Sequence, residues 1–226
     1  MSGTHVCPFA DPDNALAADL DTVGGKGLSL ASMTAAGFPV PAGFTVTTTA
    51  YRQFVSDNDL QQAIIDLAKP ELVGTAVSFD SASERIQALF AEAELTDELK
   101  AQIGSAYTAF GAGEPPVAVR SSANAEDLPD LSFAGQQDTY LNIRGSDALF
   151  EAVRDCGASL WTARALSYRH EHAIAQEAVA MAVVVQKMVP SEVSGILFTA
   201  NPATGERSEM IVNASFGLGE AIVGGE

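Results

Sequence analysis

The segment AVRSSANAEDLPDLSFAGQQDTYLNI, residues 118–143, decides the fold because it joins two strand patterns through a polar stretch. The apolar run at residues 117–119 indicates a short buried strand that leads into Arg120. The alternation over Thr139–Ile143 indicates a second strand. The residues between them, 125–135, are polar and turn-prone, which is typical of a loop.

Arg120 stands at the mouth of the first strand and is followed by Ser121 and Ser122. A guanidinium beside two hydroxyls and a mobile loop can form a fork for phosphate oxygens while the loop closes over them. The alternative is a local ion pair with Glu126 or Asp127, and the composition fits both equally. This segment alone leaves phosphate binding and a local ion pair open.

A glycine-rich stretch with one lysine, VGGKG at residues 23–27, precedes a helical pattern that stops at Gly37. The glycines let the backbone approach an anion, the amides at the helix start point outward, and Lys26 adds a mobile positive charge. The stretch is not a Walker A loop, because Gly27 and Leu28 follow the lysine where a Ser or Thr is needed. The alternative is a plain glycine-rich turn with an exposed lysine.

The first half of the chain is predicted to be rich in helices. Residues 44–47 indicate a short strand, and the threonines at 47–49 are suited to cap the helix that follows. Residues 58–110 carry apolar side chains at helical spacing and predict a helical block. The turn-rich sequence at 111–116 ends this block. We therefore expect a helix-rich first lobe over residues 1–113.

The second half predicts a mixture of strands and one well-marked helix. An amphipathic helix begins at Asp147. Residues 180–189 and 194–198 are β-rich and predict a hairpin, and residues 210–212 are a third candidate strand. We therefore expect a second lobe over residues 114–226 and an α+β fold in two lobes.

Composition argues against several classes of function. With 29 acidic and 12 basic residues, the formal net charge of −17 would repel a phosphate backbone, so we expect no nucleic-acid partner. The acidic balance is compatible with a salt-loving source or with an ordinary solvated surface. Cys7 and Cys156 show no CxxC spacing, and Cys156 is expected in the core. We find no signal peptide and no membrane-spanning run, which predicts a cytoplasmic protein without membrane contact.

Two further patterns are rejected as functional sites. The glycines of SFGLGEA, residues 215–221, lack the spacing of a dinucleotide fingerprint. His170 and His172 fall on different faces of a helix and have no visible further ligands, so we predict no protein-held metal site. The three histidines also offer no recognisable setting for a hydrolase nucleophile.

Taken in order, six segments resemble the N-terminal domain of phosphoenolpyruvate synthase, pyruvate phosphate dikinase and rifampin phosphotransferase. They are VGGKGLSL (23–30), GFPVPAGFTVTTTAY (37–51), the segment 118–143, VVVQKMV (183–189), SGILFTANP (194–202) and SFGLGEA (215–221). The resemblance covers residues 22–225 and implies an ATP-grasp fold whose two lobes sandwich ATP. It also implies that the later part of this domain, with an acidic residue and a Gln-x-Arg element that complete the site, is missing.

The resemblance assigns five site residues. Lys26 and Arg120 would contact the ATP phosphates and carry the catalytic role, Gly135 and Thr139 would belong to the phosphate-side loop and strand, and Gln186 would lie near the adenine. Physical reasoning agrees for the two cations, because they neutralise charge that accumulates during phosphoryl transfer. The implied cofactors are ATP and Mg²⁺.

In this family, ATP phosphorylates a histidine on a separate swivelling domain, which carries the phosphoryl group to pyruvate or a rifamycin. The chain is therefore expected to be part of a longer ATP-dependent phosphotransferase and inactive alone, with the phosphohistidine and acceptor-binding domains as partners. VGGKGLSL and SFGLGEA favour rifampin phosphotransferase and its phosphoenolpyruvate-synthase-like relatives over the phosphate dikinase, so antibiotic resistance through a rifamycin acceptor is slightly favoured. The alternative is a non-catalytic ATP-binding or interaction module with the same fold.

Overall fold

The computed structural model describes residues 4–11, 15–74, 76–123, 139–220 and 222. They belong to two compact units, Met1–Met188 and Val189–Glu226. The helices are α1 (Leu20–Ala35), α2 (Thr48–Asp57), α3 (Leu60–Leu67), α4 (Asp80–Glu92), α5 (Asp97–Thr108), α6 (Ser146–Ala158) and α7 (Ala163–Glu171). The strands are β1 (Val6–Pro8), β2 (Gly43–Val46), β3 (Glu71–Val73), β4 (Ala76–Ser78), β5 (Val117–Ala123), β6 (Thr139–Ile143), β7 (Met181–Lys187), β8 (Val193–Phe198) and β9 (Ile211–Phe216). Short 3-10 helices cover Ala15–Ala18, Ser159–Trp161 and Gln176–Ala178. The predicted α+β class is confirmed.

The first unit is built around an antiparallel sheet with the strand order β1-β2-β7-β5-β6. The strand β7 lies in the middle, and its first five residues are all buried. A continuous apolar run is what a strand covered on both faces requires. The valines at 183–185 therefore explain why β7 takes the central position in the sheet.

Different helices cover the two faces of this sheet. Phe44, Val119 and Val183 point from neighbouring strands into a core that also contains buried side chains of α2 to α6. On the opposite face, α1 packs against β2, β5 and β7. Because side chains alternate along a strand, the residues next to the core positions point toward α1.

Several local predictions are confirmed. The strands expected at 44–47, 117–119 and 139–143 correspond to β2, β5 and β6. The Thr47 hydroxyl accepts a hydrogen bond from the Ala50 amide at 3.3 Å and so caps α2. The amphipathic helix expected at Asp147 is α6, and Cys156 on it is fully buried.

The hairpin predicted between residues 180–189 and 194–198 is wrong. The partners of β7 are β2 and β5, whereas β8 pairs with β9. Two apolar runs joined by a short turn have the pattern of a hairpin, but the partner of a central strand is chosen by packing across the whole sheet. The helical block predicted over 58–110 is also interrupted, because β3 and β4 form a small hairpin between α3 and α4.

The predicted lobe boundary at residues 113/114 differs from the boundary between the two compact units at Met188 and Val189. Strands from both sides of residue 113, such as β2 and β7, share one sheet. The division into two ATP-grasp lobes at residues 113/114 stays a prediction. None of the helices in the described ranges is long and apolar enough to cross a bilayer.

The second unit contains the hairpin β8–β9, one face of which is entirely apolar. The pairs on this face are Val193 with Phe216, Gly195 with Ala214, and Leu197 with Val212. All six residues are exposed, and Phe216 reaches 89% exposure. A two-stranded hairpin of this kind is marginally stable without a further layer.

A buried polar cluster joins α2, the Ser159–Trp161 turn and α7. The Arg169 guanidinium donates to the Leu160 carbonyl and to Gln176 Oε1, both at 2.6 Å, and lies 5.0 Å from the centre of the Trp161 ring. The Trp161 indole donates to the Tyr51 hydroxyl at 2.9 Å. Burial lowers the pKa of Arg169 to about 10, and it raises the pKa of Tyr51 well above its usual 10.0.

The Tyr51 phenol is expected to make the fold sensitive to alkaline pH. The folded chain holds this proton above pH 10.0 while the unfolded chain releases it, so stability is lost as the pH rises above that value. The loss reaches about 1.4 kcal/mol one pH unit above the unfolded pKa. Urea unfolding at pH 8 and pH 11 should show a smaller loss for Tyr51→Phe than for the parent chain. Equal losses would contradict the raised pKa.

Candidate functional site

Three of the predicted site residues lie on the sheet face that α1 covers. Arg120 on β5 is directly opposite Thr139 on β6 and Val184 on β7. Gln186 follows Val184 by two positions on β7, so its side chain points to the same face. Directly opposed residues on neighbouring strands place their Cβ atoms about 5 Å apart. Arg120 and Thr139 are therefore neighbours, and Gln186 lies further along the same face.

Lys26 reaches this face through α1, which is bent at its glycines. Gly24 has φ 68° and ψ 172°, a conformation inside the helix span that divides it at this residue. This region of backbone space is essentially restricted to glycine. The regular helix therefore begins at Gly25, and Lys26 lies in its first turn.

The Ser122 hydroxyl of β5 attaches this first turn to the sheet. It accepts hydrogen bonds from the Lys26 amide at 3.2 Å and from the Gly27 amide at 3.4 Å. It also donates to the Val23 carbonyl at 3.1 Å. Ser122 is completely buried, so these contacts are shielded from water.

The close approach of α1 to β5 requires glycine at position 24. A Cβ atom added to Gly24 would lie 2.1 Å from the Ser122 carbonyl oxygen and 2.3 Å from its hydroxyl oxygen. Gly27 is also close to the sheet, because its Cβ would lie 2.9 Å from the Thr45 hydroxyl oxygen. Gly24 and Gly27 thus allow the backbone of α1 to approach the sheet closely.

This arrangement corrects two expectations. The amides of Lys26 and Gly27 were expected to point outward toward an anion, but both donate to Ser122. The hydroxyls of Ser121 and Ser122 were expected beside Arg120 in a phosphate fork, but both residues are buried, and Ser121 points to the core face that α2 to α6 cover, opposite to Arg120. A sequence signal for the contact does exist, since a glycine precedes the helix where a Ser, Thr, Asp or Asn usually supplies the cap.

Gln186 lies beside the turn that leads into β2. Its side-chain amide donates to the Pro41 carbonyl at 3.2 Å, and the next residue, Lys187, donates its backbone N–H to the Ala42 carbonyl at 2.9 Å. Gly43 is opposite Gln186, and a Cβ at Gly43 would lie 2.2 Å from the Phe9 ring. The carboxamide oxygen of Gln186 is an acceptor at the edge of this face.

Other predicted features lie elsewhere. Gly135 and the acidic residues Glu126 and Asp127 fall outside the described residues. Within the described ranges, Arg120 has no carboxylate partner, and no group of three or more His, Cys, Asp or Glu is arranged to hold a metal ion. His170 and His172 contact the rings of Phe79 and Tyr168 edge-on.

Comparisons with known proteins agree on one domain type. A family model described as "Pyruvate phosphate dikinase, AMP/ATP-binding domain" matches residues 20–226. Phosphoenolpyruvate synthase of Aeropyrum pernix is 48% identical over 92% of this chain and 26% of its own length. Probable phosphoenolpyruvate synthase of Methanocaldococcus jannaschii is 44% identical over 92% of this chain and 18% of its own length. Rifampicin phosphotransferase of a Streptomyces species is 43% identical over 100% of this chain and 26% of its own length.

The chain spans only a minor part of these relatives. The share of their length that it covers ranges from 18% to 26%.

Gly24→Ala is expected to destabilise the chain by about 3 kcal/mol, because positive φ strain and a steric clash with β5 add. Gly37 is a matched control, since its φ is also positive at 81° but nothing lies within 4 Å of its added Cβ. Gly37→Ala should cost only about 1 kcal/mol from the backbone strain. Urea unfolding of both variants measures the difference. Equal costs would mean that the approach of α1 to β5 does not restrict position 24.

Proposed function

This chain belongs to the family of the pyruvate phosphate dikinase AMP/ATP-binding domain, and from that premise we propose that it is the ATP-binding portion of a dikinase-type phosphotransferase. The observation that supports this role most strongly is the shared sheet face of Arg120, Thr139 and Gln186, with α1 and Lys26 packed over it. We propose that Gly135 and Thr139 belong to the phosphate-side loop and strand of the ATP site.

In this proposal, local cations overcome an unfavourable overall charge. The net charge of −17 repels a nucleotide at long range, so binding depends on groups that lie at the site. Arg120 offers a planar fork for phosphate oxygens, and Lys26 offers a flexible point charge. Both are half-buried, which strengthens their interaction with a phosphate relative to fully solvated cations.

Magnesium enters the proposal with the nucleotide. The described residues contain no cluster of three or more acidic or imidazole ligands, so they do not fit a dedicated magnesium cage. Mg²⁺ commonly uses substrate phosphates and only one or two carboxylates as ligands. We therefore propose that the cationic side chains of Lys26 and Arg120 contact the phosphates and that Mg²⁺ is bound mainly by ATP itself.

We propose that the ATP phosphoryl group passes through a phosphohistidine domain to pyruvate or a rifamycin. The relatives named phosphoenolpyruvate synthase and rifampicin phosphotransferase support both acceptors. The rifamycin acceptor, and with it antibiotic resistance, is slightly favoured by the glycine-rich segments at 23–30 and 215–221. The chain is proposed to be catalytically incomplete without the phosphohistidine and acceptor-binding domains. Its proposed fold is the ATP-grasp fold, with two lobes divided near residue 113. Its proposed location is the cytoplasm.

Calorimetric titration of magnesium-ATP should show saturable binding to the chain. Arg120→Ala and Lys26→Ala should each weaken binding at least tenfold, because each removes a charged contact to phosphate worth about 1.5–3 kcal/mol. The matched controls are Arg85→Ala and Lys69→Ala. Arg85 lies on α4 and Lys69 follows α3, and both side chains are exposed.

The controls should bind ATP like the parent chain. Binding that is lost equally in all four variants would point to a general effect of net charge and would contradict the assigned site. Absence of binding in the parent chain would favour the interaction-module form of the alternative, with the same fold.

A further inference from the structure

We propose that Ser122 is a positioning residue that fixes Lys26 relative to Arg120 by capping helix α1 from the neighbouring strand. This inference deepens the proposed ATP-binding function and rests on it. It concerns a residue whose hydroxyl forms hydrogen bonds with backbone atoms of the glycine-rich turn.

The Ser122 hydroxyl uses all of its hydrogen-bonding capacity on the glycine-rich turn. A serine hydroxyl has one O–H donor and two acceptor positions. The donor is used by the Val23 carbonyl, and the acceptors are used by the amides of Lys26 and Gly27. Because Ser122 is completely buried, removing the hydroxyl would leave these backbone groups without water to replace it.

The geometry is that of a helix N-cap with the cap supplied by another element. With Gly24 as the last non-helical residue, Lys26 and Gly27 occupy the second and third helical positions. These are the two amides that an N-cap side chain normally satisfies. Gly24 has no side chain, and a Cβ there would lie 2.3 Å from the Ser122 hydroxyl oxygen. Ser122 therefore supplies the cap that Gly24 lacks.

The same strand carries the second cation of the proposed site. Arg120 and Ser122 are two positions apart on β5, so their side chains share a face and their Cα atoms are about 7 Å apart. The hydroxyl thus ties the backbone of Lys26 to the strand that holds Arg120. Two cations held in this way can bind one polyphosphate together, and binding does not have to include the entropic cost of ordering the glycine-rich turn.

Magnesium-ATP titration of Ser122→Ala tests the inference. We expect about tenfold weaker ATP binding, with unchanged binding of adenosine, which lacks the phosphates. Ser121→Ala is the matched control, since Ser121 is an equally buried serine on the opposite face of the same strand. It should leave the affinity for ATP near that of the parent chain. Ser122→Thr keeps the hydroxyl and should bind ATP more tightly than Ser122→Ala.

A double variant separates positioning from general destabilisation. In the Lys26→Ala background, Ser122→Ala should cause little further loss of ATP affinity, because the residue that it positions is already gone. Hydrogen exchange should also become faster at the amides of Lys26 and Gly27 in Ser122→Ala, and not in Ser121→Ala. Additive losses of affinity, or equal losses of ATP and adenosine binding, would overturn the inference. If Ser122→Ala does not fold, the affinity of Ser122→Thr for ATP tests the inference instead. Loss of ATP binding with unchanged adenosine binding in Ser122→Thr would overturn the inference.

Failure of the inference is distinguishable from failure of the proposed function. A parent chain that binds ATP together with a Ser122→Ala variant of equal affinity overturns the inference and leaves the function intact. A parent chain that binds no ATP overturns the function and, with it, the positioning role, whatever the exchange rates show.

Discussion

The hydrogen bonds of the Ser122 hydroxyl are the constraint on which the arrangement of the site depends. They join α1 to β5 at the point where the chain turns from loop to helix. The contact is possible only because Gly24 has no side chain and adopts a backbone conformation that other residues rarely reach. Lys26 owes its position to this contact, and the spacing between the two proposed phosphate-binding cations follows from it.

The two faces of the main sheet have different compositions because different partners cover them. The face toward α2 to α6 carries large apolar residues such as Phe44 and Val185, which fill the core. The face toward α1 carries Val184 and, where β5 and β7 run beside the glycine-rich turn, the small residues Ser122 and Ala182 at its buried positions. Small side chains let the backbone of α1 approach the strands, whereas the core face gains its stability from apolar burial. One sheet thus separates the stabilising layer from the proposed binding layer.

Local features of the fold were predictable from the sequence, and long-range pairings were not. The strand at 139–143 and the Thr47 cap follow from alternation and from the preference of hydroxyl side chains for helix starts. The pairing of β7 with β2 and β5 could not be predicted, because several apolar strands compete for the same neighbour and tertiary packing decides between them. For the site, residue types identified Lys26 and Arg120 as candidates. The role of Ser122 was missed because its hydrogen-bonding partners lie far away in the sequence.

The contact between Gly24 and Ser122 also has an evolutionary consequence. A side chain at position 24 meets the serine, and loss of the serine leaves the turn uncapped, so either replacement alone passes through a less stable intermediate. Such pairs show epistasis, since the effect of one substitution depends on the residue at the other position. The glycine-rich turn and the strand that carries Arg120 are therefore expected to change together or not at all. A lineage that modifies its nucleotide site would do so more readily at exposed positions such as Thr139 than at this buried pair.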